Sequence, residues 1–576
     1  MTASTTTVPG APHYAPSDAG ARRASMLDRL EAGPFDLVVV GGGATGLGVA
    51  LDAALRGLKV ALLESHDFAK GTSSRATKLV HGGVRYLAQG RIGLVRESLR
   101  ERTALLHNAP TLVRPLPFVV PAYRLRDIPF YTAGLGLYDM LAGRDGLGTT
   151  RVLSRRQTES RLPGIRPQGL VGGVEYWDAQ FDDARLAVAL ARSAEAAGAV
   201  MLNYVRVADL VHEQGRVAGV RADDTETGRG FLLRSRCVIN ATGVWSDELR
   251  HADARNSKRP VRNLIRASRG THLVVDRAFL PSDCALLVPR TADKRVLFAV
   301  PWLGKVLLGT TDVATEALAH EPRPDPAEID YILREAGRYL RVPPARKDIR
   351  SAWAGLRPLV DPDADRGGHG PVATRRISRE HSIEISPTGL VTVAGGKWTT
   401  YRAMAQDTLQ ACGRAGLLAA LPPCRTQDFM LEPAEGAIPD PVKGVRGARM
   451  AGMSEGADSA HGCDGHGGSD DRERGGGDGK GASGGDAGGG DAGVAGDDEV
   501  LRPAGLTPAL IRHSARCEYA RRVEDVLARR SRLLFLDAAL AARVAPVAAR
   551  ILQSETGLDP ALDDFLGLAR RYALAE

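Results

Sequence analysis

Cysteine is scarce in this chain: Cys237, Cys284, Cys412, Cys424, Cys463 and Cys517 are six in 576 residues, and none forms a CxxC pair. Scattered thiols argue against a disulfide framework or a cysteine zinc site and suit a reducing compartment. Long apolar runs are also missing. The nearest, Leu533 to Leu552, carries Asp537, Arg543, Pro546 and Arg550, so it reads as a soluble amphipathic helix rather than a membrane span. The opening MTASTTTVPGAPHYAPSDAGARR has no apolar core of the signal-peptide kind. The expected location is cytoplasmic, with peripheral attachment to the inner face of the cytoplasmic membrane as an alternative. Lysine is rare, so the net charge of +8 is mostly arginine, in a chain also rich in alanine and glycine. Compositional bias with a solvated surface accounts for it best; an anionic small substrate or an anionic membrane comes next. Nucleic acid is not expected, because no recognition module of the usual kinds is present.

One stretch organises the rest: FDLVVVGGGATGLGVALDAALRGLKVALLE, ending at Glu64. A β-branched run from Leu37 to Val40 suits a strand buried on both faces. Gly41, Gly43 and Gly46 follow on the GxGxxG spacing, and Leu47 to Leu55 reads as a helix. A second strand, Lys59 to Leu63, delivers Glu64 about 20 residues past the glycines. Glycines at that turn allow close approach of a pyrophosphate to a helix N-terminus, and the acid can accept hydrogen bonds from ribose hydroxyls. The glycine motif by itself does not separate FAD from NAD.

Before this unit, residues 1–34 form a polar leader expected to be flexible. After it, HDFAKGTSSRATKLVHGGVRY is too rich in Gly, Ser and Thr for one regular element, and a helix is expected from Ile92. Phe181 to Ala197 is a second helix, led by Asp182 and Asp183. Strand-like runs at 200–208, 217–222 and 230–240 lead into NATGVWSD, a second candidate nucleotide loop. Leu264 to Arg357 alternates strands with turns, as an antiparallel sheet does. A helix interrupts it, with Asp325 as N-cap, Pro326 first and Glu328 reaching back. Gly389 to Val393 is a last Rossmann-type strand, opening AGGKWTTYR at the cofactor. Residues 444–500 are Gly/Asp-rich and read as a disordered insert, in which His461, Cys463 and His466 are incidental. Residues 501–572 are helical and read as a small separate domain.

Short polar clusters sit in turn-rich settings: HGGVRY at 81–86, RGTH at 269–272, GLRP at 355–358, Thr374-Arg375, and GGKWTT at 395–400. Singly each has an ordinary structural explanation. Together with the nucleotide unit, YWDAQFDDARL, FAVPW, LLGTTD and the C-terminal EYARRVEDVLARRSRLLFLD, they make the chain from Asp36 onward resemble the FAD-dependent, quinone-linked glycerol-3-phosphate dehydrogenases. The insert and the leader depart from that pattern.

The resemblance implies an α/β fold: a Rossmann-like FAD domain (35–125, 180–250, 385–415) interleaved with an antiparallel substrate domain (mainly 126–179 and 251–384), the two filling 35–430, plus a C-terminal all-α domain. It implies FAD as cofactor and oxidation of sn-glycerol 3-phosphate to dihydroxyacetone phosphate by hydride transfer from C2 to flavin N5, with electrons passing to a membrane quinone. Arg357 and Arg375 would clamp the phosphate, as bidentate, permanently charged donors do. Arg85 and Tyr86 would line the same pocket, with Lys397 beside flavin and substrate. His81 and His272 are both candidate bases for the C2 hydroxyl proton, and the choice stays open. Gly41, Gly43, Ala44, Thr45, Gly46, Glu64, Thr72, Ser73, Ser74, Gly82, Gly83, Ala241, Thr242, Gly243, Gly395, Gly396 and Thr399 would hold the cofactor, with His81 and Lys397 touching it. No metal is expected.

Residues 126–144, apolar with arginines at both ends, suit a helix lying in a membrane interface, with a core helix as the equal alternative. Competing functions are a glycerol-3-phosphate oxidase that gives peroxide from oxygen, an amine or amino-acid oxidase, and a catalytically silent flavin-binding scaffold. A homodimer is a further option.

Overall fold

The structure is a computed structural model that describes residues 19–87, 90–257, 260–288, 291–292, 296–361, 380–432 and 495–574. Two sheets carry it. In the first, the strands Val200–Leu202, Val60–Leu63, Phe35–Val40, Gly230–Asn240 and Val391–Gly395 lie side by side in parallel, and His381–Ile385 closes the edge antiparallel. Val38 and Val39 are fully buried, as a strand covered on both faces requires. Helix Ala44–Leu55 packs on one face, between Asp183–Ala196 and Tyr401–Arg414. Register decides the rest: Val40 pairs with both Leu63 and Asn240. Gly41, Glu64 and Ala241 therefore emerge together at the carboxyl edge of the parallel strands, where such sheets bind ligands.

The second sheet is antiparallel except where Ala285–Val288 runs parallel to Val113–Ala122. Its long strands are Val113–Ala122, Gly172–Phe181, Ile265–Asp276 and Ile349–Val360. Helix Pro326–Gly337 packs behind it with the expected capping box, Asp325 and Glu328 each bonding the other's backbone end.

Four expectations are corrected. The strand Val113–Ala122 belongs to the second sheet and His381–Ile385 to the first, because each pairs there. Residues 19–34 of the leader are not loose: Ala19–Glu31 is a helix burying Met26, Leu27 and Leu30, while Arg22 and Arg23 pair with Glu195 and Asp224. The last residues of the expected insert form helix Ala495–Leu501, anchored by fully buried Leu501; positions 444–494 lie outside the described residues. Finally, the C-terminal helices are not a separate unit. Leu527, Leu534 and Phe535 share one core with Val274, Trp302 and Trp353 of the second sheet.

The 126–144 stretch contains helix Asp127–Ala142, which buries Leu135, Tyr138 and Ala142 and leaves Phe130 (69%) and Met140 (75%) exposed. Among the described residues no helix is long and apolar enough to cross a membrane, and no three or more His, Cys, Asp or Glu side chains gather where they could hold a metal ion.

Candidate active site

Between the sheets lies a cleft of about 1650 Å³. Its nucleotide end is built by the first βα turn. Gly41 has a φ of +108°, and a Cβ there would sit 2.7 Å from the Ala241 carbonyl oxygen. Gly43 caps helix Ala44–Leu55 without any side-chain capping bond, so the helix N-terminus faces the cleft. Ser73 reaches the same turn, its Oγ accepting from the Ala44 N–H at 2.9 Å. Glu64 accepts from the Gly42 and His66 N–H groups at 2.7 and 2.9 Å. Burial raises its carboxyl, against the pull of those bonds. These features fit a dinucleotide: a Cβ-free cradle, an open helix end and an acid at the end of the neighbouring strand.

The opposite wall is the second sheet. Strands Ile265–Asp276 and Ile349–Val360 pair His272 with Trp353, Gly270 with Gly355 and Ser268 with Arg357, so all six lie on one sheet face. Two glycines make room for the functional side chains Arg357 and His272, and a third makes room for Arg75. A Cβ on Gly270 would come 2.4 Å from Arg357 Nη2, one on Gly309 2.6 Å from His272 Cδ2, and one on Gly355 2.9 Å from the Arg75 Cβ. This explains why GTH, LGTTD and GLRP each carry a glycine. Arg357 donates to the Thr311 carbonyl (3.1 Å) and Thr310 Oγ1 (3.0 Å), which fixes the guanidinium plane at the cleft.

His272 is buried, stacked on Trp353 at 4.2 Å between ring centroids, with Nε2 3.0 Å from Thr77 Oγ1. Burial, then the charges of Arg357 and Lys78, hold its imidazole well below the usual histidine range, so the ring is neutral near pH 7. Lys397 donates to Ser98 Oγ at 2.6 Å and sits 5.1 Å from the Tyr86 ring centroid. The HGG turn is fastened from behind, where the Gly82 N–H donates to Tyr138 OH at 2.8 Å and Asp178 accepts from Tyr138 and Arg102.

The cleft thus gathers most of the residues singled out in the sequence. Gly41, Gly43, Ala44, Thr45, Glu64, Thr72 and Ser73 line it from the first sheet, with Ala241, Thr242 and Gly243. His81, Gly83, Tyr86, His272 and Arg357 line the substrate side, with Gly395, Gly396, Lys397 and Thr399 between. Three do not line it. Gly46 is a packing glycine whose Cβ would fall 1.9 Å from the Gly41 carbonyl oxygen. Ser74 is fully buried, and Gly82 is sealed under Tyr138 and Leu99. Arg85 lies on the short helix Val84–Leu87 and its side chain is outside the described set; Arg375 lies outside the described residues. Sequence reasoning missed Arg75, Thr77, Lys78 and Trp353. Trp353 alone had a signal, being four residues before Arg357 on a strand and so on the same face.

Comparison with known proteins gives the lineage. Residues 36–459 match the family model described as FAD dependent oxidoreductase, and residues 497–562 match that of the C-terminal domain of alpha-glycerophosphate oxidase. The mitochondrial glycerol-3-phosphate dehydrogenase of Saccharomyces cerevisiae is 40% identical over 449 residues, covering 72% of this chain and 69% of the relative. The chain belongs to the FAD-dependent glycerol-3-phosphate dehydrogenase family. The human mitochondrial member is 42% identical over 427 residues, which cover 71% of this chain. The aligned chain spans 57% of the length of that relative. Among solved structures, a Bacillus halodurans glycerol-3-phosphate dehydrogenase complexed with FAD superimposes with a TM-score of 0.66 at 27% identity, covering 96% of this chain and 98% of its own. An L-alpha-glycerophosphate oxidase from Mycoplasma pneumoniae shares the fold, with a TM-score of 0.52 at 16% identity, covering 69% of this chain and 99% of its own.

Proposed function

We propose that this chain oxidises sn-glycerol 3-phosphate to dihydroxyacetone phosphate and delivers the electrons to a membrane quinone. The observation that carries the reading is that His272 and Arg357 share one sheet face, opposite the glycine turn and Glu64 across one cleft. Bound FAD supplies the two-electron acceptor, N5, for the hydrogen leaving C2.

The chain's own residues do the rest. Arg357 grips the phosphate, since a fixed guanidinium offers parallel donors to two oxygens and keeps its charge at every working pH. Arg375 joins the clamp as a proposal from the family pattern. Tyr86 and Lys397 close the pocket on the phosphate and hydroxyl side, and Arg85 joins them as a proposal from the family pattern. His272 accepts the C2 hydroxyl proton: its ring is neutral and its orientation is fixed by Thr77 and Trp353. His81, which lines the cleft, would touch the cofactor edge.

Two features support the acceptor and membrane side. Phe130, Tyr131, Leu135 and Leu137 of helix Asp127–Ala142 form part of the cleft wall, and the same helix exposes Phe130 and Met140. An apolar acceptor in a bilayer surface could so approach the cleft without the chain crossing the membrane. The test is steady-state turnover on sn-glycerol 3-phosphate with a short-chain quinone analogue, while peroxide is measured in air. Fast quinone reduction with little peroxide is expected; stoichiometric peroxide would make the chain an oxidase. His272→Asn should cut kcat by about 10²-fold or more, and His81→Asn far less; the reverse order would move the base to His81.

A further inference from the structure

The two contacts that orient His272 trace back to one corner of the C-terminal domain. Thr77, which holds His272 Nε2, belongs to the loop Thr72–Lys78. That loop is held from behind by cations and one carboxylate. Arg532 donates to the Ser74 carbonyl and to Asp183 Oδ1, both at 2.9 Å. Lys78 donates to the same carbonyl at 2.8 Å and to Asp183 Oδ2 at 2.7 Å, and that oxygen also takes the Ala76 N–H at 3.0 Å. Arg532 is 1% exposed and is itself tied to the Ala528 carbonyl. Trp353, the ring stacked on His272, is braced by Phe535, whose ring meets it edge-on at 5.1 Å. Ser351, two residues before Trp353, donates to the Leu534 carbonyl at 2.9 Å.

We propose that Arg532 and Phe535 are positioning residues for the oxidation: the C-terminal helical domain forms the back wall of the catalytic pocket and sets the His272 ring through Thr77 and Trp353. Neither residue lines the cleft, so neither touches substrate. Their effect passes through geometry alone. Displacing a proton acceptor by an ångström lowers a reaction rate far more than it weakens substrate binding, because binding rests on other groups. This inference rests on the proposed oxidation of sn-glycerol 3-phosphate.

The experiment is anaerobic rapid mixing of the FAD-loaded full chain with sn-glycerol 3-phosphate, following flavin absorbance. It yields the limiting reduction rate and the substrate Kd separately, with FAD content per chain read from the unmixed spectrum. Arg532→Met should lower the reduction rate about tenfold or more, with Kd and FAD content close to wild type; Arg532→Lys, which keeps a donor for Ser74 and Asp183, should recover most of the rate. Phe535→Leu keeps a buried apolar side chain and so guards against a misfolded first variant; it should slow reduction about fivefold, again with Kd unchanged. Wild-type rates per bound flavin in Phe535→Leu and in Arg532→Met, whatever their melting temperatures or FAD content, would overturn the positioning role. A rise in Kd with an unchanged rate would do the same. A wild-type flavin that substrate does not bleach would overturn the oxidation itself, and is a separate result.

Discussion

Three glycines of one turn should respond to alanine in three different measures, because the space beside each differs. At Gly46 a Cβ would lie 1.9 Å from the Gly41 carbonyl oxygen, where ordinary contact begins at 3.4 Å. Helix and turn would have to part by roughly 1.5 Å, and overpacking of backbone on backbone costs about 3 kcal/mol. If that strain is relieved by opening the cradle, FAD binding weakens about 100-fold. Gly41→Ala combines a smaller overlap, 2.7 Å to the Ala241 oxygen, with a φ of +108° that alanine adopts at a cost of about 1–2 kcal/mol. Gly43→Ala meets only the rotatable Ser73 hydroxyl within the protein, at 3.1 Å, so it should fold as wild type, and its Cβ should weaken FAD directly by entering the space the pyrophosphate takes. The assay is FAD per chain after gel filtration, followed by titration of the flavin-free protein, with circular dichroism to confirm folding. Gly46→Ala with wild-type stability and wild-type FAD affinity would refute the account of the turn.

Removing half of the buried Arg102–Asp178 pair leaves a carboxylate that fastens the HGG turn without its counter-charge. Arg102→Met should therefore cost about 3–5 kcal/mol in denaturant unfolding, and an unchanged midpoint would contradict this. On the acid side, burial holds His66 down at about 4 and keeps His272 and His320 below the usual range. The unfolded chain then binds more protons below about pH 6.5, so the stability these histidines contribute is full above that pH and is lost as pH drops toward 4. His513, raised to about 9, is protonated in both states below its ordinary range, and Lys78, lowered to about 7, adds a slope of the same sign only at the upper edge of the window. Melting temperature across that range checks it, and a flat profile would count against the buried neutral histidines. For membrane contact, Phe130→Asp with Met140→Asp should abolish flotation with anionic liposomes while leaving FAD content unchanged; flotation equal to wild type would remove that helix from the interface.

The nucleotide half of the molecule was legible because its signals are local. A turn, a helix N-terminus and an acid at the next strand end all fall within Asp36–Glu64, and register alone brings them together. The capping box at Asp325 and Glu328 was readable for the same reason. The substrate half was legible as motifs but not as geometry: nothing within RGTH or GLRP says that Gly270 gives space to Arg357. The leader misled because its arginines and polar residues outweigh the short stripe of Met26, Leu27 and Leu30, which has meaning only against the first sheet. Lys78, Asp183 and Arg532 were invisible, since that cluster joins residues up to 454 apart through contacts that no local pattern encodes. A C-terminal domain read as separate is, for the same reason, part of the pocket's wall.

The most direct measurement is anaerobic addition of sn-glycerol 3-phosphate to the FAD-loaded protein while the visible flavin band is followed. The account predicts rapid, complete bleaching, absent with glycerol or amino acids, and slowed strongly by His272→Asn. A flavin that stays oxidised with sn-glycerol 3-phosphate, or that is bleached as readily by an amine, would contradict it.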